Sequence, residues 1–271
     1  MNSFDASPES GDRREHEKVA IVIGTFAAVP YVHLQLEARR RLHPHIPALI
    51  HDDGSMQASE LKALAESYGA DLVTLPCRMR HSLGDLNVYP TAFRWCAERG
   101  VRYLLKVSRR WLWQVDWTSD LLSVFDASGA PTVSNYTISY AFGFRTECVA
   151  FDLKYWMARP FFDDVDAKLQ VQRHVFVENY IHVWAQRFSD EAGAKWREWQ
   201  QANPVPCDRS GYAPWNMMGT CRHERIPSRL WHNANSPEEY AELAQSWGLS
   251  YPLELFLDPN AGQGLGEEPL S

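Results

Sequence analysis

The sequence contains no long hydrophobic run, which argues against a protein that crosses the membrane as a helix. None of its apolar stretches approaches the roughly 20 residues that a spanning helix requires. The N-terminal residues 2–18 are polar and lack the apolar segment of a secretion signal. These absences predict a soluble protein with no transmembrane segment, and we expect it in the cytoplasm.

Cysteine is also scarce, and it shows no arrangement typical of a zinc cage or a disulfide framework. The cysteines are odd in number, widely spaced and free of any CxxC pair: Cys77, Cys96, Cys148, Cys207 and Cys221. Such a pattern is typical of reduced thiols in a cytosolic protein. A basic stripe is missing as well, since the formal net charge is -7 and the run Arg39-Arg40-Arg41 is short. This charge balance argues against nucleic acid as a partner.

What the sequence does contain, in its first half, is a regular alternation of strand and helix patterns. Short apolar runs typical of buried strands lie at residues 19–23, 47–50, 71–75, 103–107 and 131–134. Between these runs, apolar residues recur at helical spacing, as at Leu61, Leu64, Ala65 and Tyr68. Repeated βα units of this length predict an α/β fold with a mostly parallel sheet sandwiched by helices.

The second half of the chain is less regular and rich in tryptophan. Residues 147–151 have a strand pattern, and residues 177–184 have one apolar helical face. The two ends of the chain, residues 1–17 and 259–271, are polar and predict disordered tails. We therefore expect a single domain over residues 18–258.

The polar residues directly after each predicted strand are the candidate site residues, because ligands of open parallel sheets bind outside the carboxyl ends of the strands. They are Gly24-Thr25 after the first strand, His51 to Ser55 after the second, Arg78 to Gly84 after the third and Ser108-Arg109-Arg110 after the fourth. No glycine-rich phosphate loop follows the first strand, which argues against a Rossmann dehydrogenase and against a nucleotidyltransferase.

The order of these segments carries a family resemblance. An apolar strand ending in Gly24-Thr25, a helix and then Ile50-His-Asp-Asp-Gly-Ser55 resembles the start of family-2-type GT-A glycosyltransferases, in which DDGS follows the second strand. The likeness continues through Gly84 to the strand Tyr103-Leu-Leu-Lys-Val-Ser-Arg-Arg110, and it covers roughly residues 19–110. It implies a GT-A-like fold.

The resemblance also implies a reaction, the transfer of a sugar from a nucleotide diphosphate sugar, a UDP-sugar, to a hydroxyl acceptor, as in hexosyltransferases. Residues 18–137 would form the nucleotide-binding half and residues 138–258 a tryptophan-rich acceptor half. Asp53 would contact the base or ribose, with Thr25 and Asp52 beside it, because a carboxylate accepts hydrogen bonds from such groups. Two alternatives stay open: Asp52-Asp53-Gly54 is a turn that only caps the next helix, or the whole domain binds nucleotide or carbohydrate without catalysis.

The sequence departs from the family after the fourth strand. GT-A enzymes usually place a DxD-like acidic pair there to hold a divalent cation against the diphosphate, whereas this chain has Ser108-Arg109-Arg110. Arginine supplies positive charge and paired donors to phosphate oxygens, so it can take over the electrostatic role of the metal. We therefore expect no cofactor, with manganese or magnesium as an open alternative, and Arg78, Arg80 and Lys106 in the same diphosphate site. Otherwise the arginines form surface ion pairs, or the site has decayed.

Glu178 is the candidate catalytic base beside Arg109 and Arg110, because GT-A enzymes often carry an acidic residue in this part of the chain that takes the acceptor proton. Glu178 lies between His174 and His182 on one helical face, so a zinc site and a plain polar face are the alternatives. Further substrate-binding candidates are Asp152, after the strand pattern at 147–151, and His232.

Overall fold

The computed structural model describes much of the first half of the chain and parts of the second. It covers residues 19–79, 81–108, 111–113, 116–135, 148–158, 213–215 and 237–257, together with the single helical residues Ala194, Glu198 and Gln201.

Strands and helices alternate through this part of the chain. The strands are β1 (Val19–Thr25), β2 (Ala48–Asp52), β3 (Asp71–Thr74), β4 (Tyr103–Ser108), β5 (Thr132–Asn135), β6 (Cys148–Asp152) and β7 (Ala213–Trp215). The helices are α1 (Val29–Leu42), α2 (Ala58–Tyr68), α3 (His81–Glu98), α4 (Thr118–Ser128), α5 (Leu153–Trp156), α6 (Pro237–Ser246) and α7 (Glu254–Leu257). The six predicted strands are confirmed, with small differences at their ends. The helix predicted at 177–184 lies outside the described residues.

The strands form one sheet in the order β3-β2-β1-β4-β6-β5-β7. The pairs of β1 with β2, β1 with β4, β2 with β3 and β5 with β7 are parallel. Among the described strands, only β6 runs antiparallel to its neighbours β4 and β5. The predicted α/β class with a mostly parallel sheet is therefore confirmed. The reversed direction of β6 was not predicted, because an apolar run carries no information about the direction of a strand.

Helices cover both faces of the sheet because its central strands are apolar on both sides. In β1, Ile21 and Ile23 join one buried cluster, whereas Ala20 and Val22 join the other. The first cluster contains side chains of α1, α2, α4, α6 and α7, and the second contains side chains of α3 and α5. None of the helices among the described residues is both long and apolar enough to span a bilayer.

The C-terminal helices pack against the first helix of the chain. The Tyr31 hydroxyl in α1 donates to the carbonyl oxygen of Phe256 at 2.8 Å, and its ring meets that of Tyr240 edge-on, 4.8 Å between centroids. His33 lies between two hydroxyl groups, that of Tyr251 at 2.6 Å and that of Tyr68 at 2.7 Å. Residues 237–257 thus belong to the helical layer on the α1 face of the sheet.

Candidate functional site

The strand order reverses between β1 and β4, and this reversal defines a crevice at the carboxyl edge of the sheet. From β1 the chain moves outward to β2 and β3, and then returns to place β4 on the other side of β1. Ligands of open α/β sheets bind at such a switch point. Gly24 and Ser108 are paired there in adjacent parallel strands. The loops that follow Thr25 and Ser108 therefore flank the crevice.

The loop between β1 and α1 is buried and tightly held. The Thr25 hydroxyl donates to the carbonyl oxygen of Ala27 at 2.6 Å. Ala27 and Ala28 both have left-handed backbones, with φ of 56° and 66°, and both are fully buried. A non-glycine residue in this conformation costs about 1–2 kcal/mol, so the surrounding packing must impose it. The Thr25 hydroxyl is thus engaged in shaping the loop on which it lies.

The Asp52 carboxylate closes the turn after β2. It is fully buried, and its Oδ2 accepts a hydrogen bond from the Ser55 N–H at 3.0 Å. Burial raises the pKa of Asp52, and hydrogen bonds from Ser55 and the Ala27 amide oppose that shift. These contacts agree with the alternative in which the carboxylate of Asp52 shapes a turn.

Asp53 links three elements at the same edge. Its N–H donates to the carbonyl oxygen of Thr25 at 2.9 Å, and its Oδ1 accepts from the Met79 N–H at 2.9 Å, just before α3. The carboxylate also lies directly against Gly84 in α3, where a Cβ atom would overlap it. Asp53 therefore joins the β1 loop, the turn after β2 and the start of α3.

The surroundings of Asp53 change its acidity. Burial raises the pKa of Asp53 to about 6, and the charges of Asp52 and Asp85 add to the shift. The Met79 amide and the positive charge of Arg78 act in the opposite direction. Since only 6% of Asp53 is exposed, water stabilises its charge poorly. The Asp53 carboxyl group, at the carboxyl edge of the sheet, thus has a pKa well above that of an ordinary aspartate.

The loop after β3 reaches back over this edge. Gly54 has a φ of 67°, and a Cβ atom on it would lie 2.5 Å from the carbonyl carbon of Cys77, so only glycine allows the two loops to meet. Arg78 is exposed, and its guanidinium carbon lies 4.1 Å from the centre of the Phe26 ring. The structure thus brings the predicted residue Arg78 together with the β1 loop and with Asp53.

Lys106 lies beneath the crevice, on the face of the sheet that α3 covers. Its side chain is 1% exposed and forms an ion pair with Asp85 of α3. His51 lies near this pair, and burial lowers the pKa of His51 to about 4, so its ring is neutral at physiological pH. Among the described residues, neither ring nitrogen of His51 has a hydrogen-bond partner. In this structure the charge of Lys106 is balanced by Asp85.

Sequence reasoning assigned no role to Asp85, and it named Gly84 only as the end of the candidate segment after the third strand and as part of the family resemblance. A usable signal exists for Asp85, because a lysine inside an apolar strand requires a nearby carboxylate when the strand is buried. The sequence offers several acidic residues around β4, and spacing alone does not select the one in α3. For Gly84 there is no signal of this kind, because its close contact is with a side chain from another element.

The described backbone after β4 is held at two residues, Ser108 and Trp111. The Trp111 N–H donates to the carbonyl oxygen of Ser108 at 3.0 Å. The side-chain amide of Gln35, in α1, donates to the carbonyl oxygen of Ser108 at 2.7 Å and to that of Trp111 at 2.5 Å. Arg109 and Arg110, which lie between these two residues, are outside the described residues. Sequence reasoning assigned no role to Gln35 either.

Asp152 lies at the opposite edge of the sheet, which corrects its prediction as a substrate-binding residue of this site. Because β6 is antiparallel, its last residue pairs with Tyr103 at the start of β4. There the Asp152 carboxylate accepts a hydrogen bond from the Lys154 N–H at 3.0 Å and so caps α5. It also accepts two hydrogen bonds from the Arg102 guanidinium group, at 2.9 and 3.3 Å. Besides Arg109 and Arg110, three predicted site residues lie outside the described part of the chain: Arg80, Glu178 and His232.

The described residues, ranges 19–79, 81–108, 111–113, 116–135, 148–158, 213–215 and 237–257, offer no cluster of side chains suited to a metal ion. Within those ranges, no group of three or more histidine, cysteine, aspartate or glutamate side chains is placed to hold a metal ion. The first carboxylate after β4, that of Asp116, accepts hydrogen bonds from the N–H and the hydroxyl of Thr118 at 2.9 and 2.6 Å. Asp116 therefore caps the start of α4.

Comparisons with known proteins give partial structural likenesses and no family. No protein-family model matches the sequence, and no curated protein does. S. aureus TarS 1–349 in complex with UDP has 10% identity and a TM-score of 0.44, over 62% of this chain and 55% of that one. The glycosyltransferase GlyE of Streptococcus pneumoniae TIGR4 has 11% identity and a TM-score of 0.43, over 88% of this chain and 52% of that one.

A third solved structure is similar over nearly its whole length. The galactosyltransferase LgtC, in complex with donor and acceptor sugar analogs, has 14% identity and a TM-score of 0.47, over 87% of this chain and 98% of that one. By contrast, the matches span only about half of the TarS and GlyE chains. At these identities and TM-scores the likenesses assign neither a family nor a reaction, and the fold of this chain is established by its own strand order and register.

Proposed function

We propose that this chain is a glycosyltransferase that moves a sugar from a UDP-sugar to a hydroxyl acceptor without a metal ion. The observation that carries the proposal is the pairing of Gly24 with Ser108 at the switch point of the sheet. It supports a nucleotide diphosphate that lies across β1 and β4, with Thr25 and Asp53 on one side and the segment Ser108-Arg109-Arg110 on the other. The three segments that resemble GT-A enzymes would thus act together at the carboxyl edge of the sheet.

The nucleoside end of the donor is assigned to the β1–β2 side of the crevice. Asp53 carries a negative charge above a pH of about 6, and a carboxylate accepts hydrogen bonds from ribose hydroxyls or from a uracil N–H. Thr25 and Asp52 hold the loops that present it. Arg78, exposed beside Phe26, supplies positive charge on the side of the diphosphate, together with Arg80.

The chemical step needs a base for the acceptor and positive charge for the leaving group. In an inverting reaction the acceptor hydroxyl attacks the anomeric carbon, the bond from that carbon to the β-phosphate oxygen breaks, and the hydroxyl proton passes to Glu178. Negative charge then develops on the diphosphate, where Arg109 and Arg110 offer paired N–H donors. Lys106 contributes less than an isolated ammonium group would, because Asp85 balances its charge.

The acceptor is assigned to the second half of the chain. Residues 138–258 would form that part of the site, with His232 near the diphosphate, and residues 18–137 would form the nucleotide half. We place the reaction in the cytoplasm.

A second candidate is a domain of the same fold that binds a nucleotide or carbohydrate without catalysis. One observation favours it: the Asp52 and Asp53 carboxylates both accept hydrogen bonds from backbone amides, so a structural role accounts for both side chains. Binding without turnover would then be the property to expect.

A thermal-shift assay with a panel of nucleotide diphosphate sugars, run in EDTA and again with manganese, tests the proposal. We expect UDP-sugars to raise the melting temperature in both conditions and to be hydrolysed or transferred slowly. A loss of UDP affinity in EDTA greater than about tenfold, roughly 1.4 kcal/mol, would overturn metal independence. Binding of donors without turnover of any of them would favour the silent domain. No shift with any nucleotide would overturn the transferase and would leave only a carbohydrate as the ligand of the silent domain.

A further inference from the structure

The geometry points to Gln35 as a positioning residue for the diphosphate site, an inference that rests on the function proposed above. The side-chain amide of Gln35 donates to the carbonyl oxygens of Ser108, at 2.7 Å, and Trp111, at 2.5 Å. The Trp111 N–H also donates to the carbonyl oxygen of Ser108, at 3.0 Å. The two bonds from Gln35 tie the residues on either side of Arg109 and Arg110 to helix α1, and the third joins those two residues to each other.

The chemistry of the contact explains why an amide suits this position. Two carbonyl oxygens are acceptors only, so the group between them must offer two donors, and the NH₂ group of glutamine does. Glutamate of nearly the same size offers acceptors and would repel both carbonyls, whereas methionine fills the volume without any donor. Gln35 is 1% exposed, so water does not readily replace the lost hydrogen bonds. The two contacts span 73 and 76 residues of sequence, which makes them a tertiary clamp rather than a local turn.

The clamp matters because arginine binds phosphate through geometry as well as charge. A guanidinium group that meets two phosphate oxygens at once needs its backbone at a set position. With the segment ends released, Arg109 and Arg110 spend less time in that position and bind the diphosphate more weakly. The nucleoside is assigned to Thr25 and Asp53 on other strand ends. Gln35 therefore acts on the phosphate part of the affinity and leaves the nucleoside part unchanged.

The test compares the affinities of the full chain for UDP and for uridine. Gln35→Met and Gln35→Glu are the two variants, and Leu36→Ala, buried on the same helix, is the control for a loss of packing. Calorimetric titration measures both affinities, and a melting curve is recorded for each variant. We expect the Gln35 variants to weaken UDP binding at least fivefold and uridine binding less than twofold, and Leu36→Ala to leave the ratio of the two affinities unchanged despite a lower melting temperature.

Arg109→Ala and Arg110→Ala separate the failure of this inference from the failure of the proposed function. If the arginine variants lower the UDP-to-uridine ratio and both Gln35 variants keep it, the positioning role of Gln35 is wrong and the proposed site stands. If the arginine variants also keep the ratio, or if the wild type does not bind UDP, the proposed diphosphate site is wrong and the inference falls with it. Should one Gln35 variant fail to fold, the other decides.

Discussion

The carboxylate of Asp53 occupies the position where a side chain on Gly84 would have to begin. Asp53 follows β2 and Gly84 belongs to the first turns of α3, so this contact sets how closely the helix approaches the carboxyl edge of the sheet. The same carboxylate accepts a hydrogen bond from the Met79 N–H just before α3. Two adjacent contacts of one acidic side chain therefore fix the start of the helix over the candidate site.

Gly84→Ala is expected to lower the free energy of unfolding by about 1–3 kcal/mol, because the added methyl group overlaps a buried carboxylate. Helix propensity alone predicts the opposite sign, since alanine is favoured over glycine inside a helix by about 1 kcal/mol. Urea denaturation measures the difference. The double variant Gly84→Ala with Asp53→Ala is the control, because removal of the carboxylate must recover part of the loss. If the losses in free energy of unfolding of the two single variants simply add in the double variant, the contact between Asp53 and Gly84 is contradicted.

Asp53→Asn is expected to stabilise the chain at neutral pH. The pKa of Asp53 is raised to about 6 from an ordinary 3.8, so between these values the folded chain holds the proton more tightly, and stability falls as the pH rises. Asparagine keeps an acceptor for the Met79 N–H and removes the buried charge. The variant should be more stable at pH 7.5 by up to about 3 kcal/mol, and the difference should vanish near pH 4. A difference independent of pH would show that the side chain ionises normally.

His51→Leu is expected to have the opposite pH dependence. The pKa of His51 is lowered to about 4 from an ordinary 6.5, so in that range the unfolded chain binds the proton more tightly and wild-type stability falls as the pH falls. The variant lacks this loss, and its stability relative to the wild type should rise by up to about 3 kcal/mol from pH 7 to pH 4. Parallel urea titrations of the wild type and the variant at several pH values measure this. Parallel pH profiles would mean that His51 is protonated in the folded chain as readily as in water.

Cys77 is expected to react with a maleimide in the folded chain, while Cys96 and Cys148 do not. Cys77 is exposed and the other two are buried, and burial raises the pKa of Cys96 to about 12. Because Cys77 adjoins Arg78, bound UDP should slow its modification. Peptide mass mapping after a short reaction identifies the modified cysteine and separates it from Cys207 and Cys221. Equal rates with and without saturating UDP would place this loop outside the nucleotide site.

Arg109→Ala or Arg110→Ala is expected to reduce the transfer or donor-hydrolysis rate by the equivalent of about 2–4 kcal/mol, because one of the two supplies a charge-assisted contact to the leaving diphosphate. The loss should therefore fall mainly on one of the two positions.

The lysine variants of the same two positions are the matched controls. Arg109→Lys and Arg110→Lys keep the charge and should restore only part of the rate, since an ammonium group cannot make the planar two-pronged contact. Uridine affinity should be almost unchanged in all four variants. Wild-type rates in all four would mean that both arginines are surface charges.

The alternation of strands and helices and the residues at the carboxyl edge could be read directly from the sequence. The apolar run 19–23 and the helical spacing from Leu61 to Tyr68 predict β1 and α2, because burial on a sheet or a helix imposes its own period on apolar residues. Strand ends then point to Thr25, Asp53 and Ser108, since the carboxyl ends of parallel strands share one edge. All of these inferences depend on residues that are close in the chain.

Other features were decided only by tertiary structure, because they depend on partners that are distant in sequence. The direction of β6 places Asp152 at the far edge of the sheet, and no local pattern encodes that direction. The partner of Lys106 is 21 residues away in the sequence, and the two partners of Gln35 are 73 and 76 residues away. A sequence shows that a buried lysine or glutamine requires a partner, since an unpaired polar group in the interior is costly. Only the packing of α1 and α3 against opposite faces of β4 determines which residue that partner is.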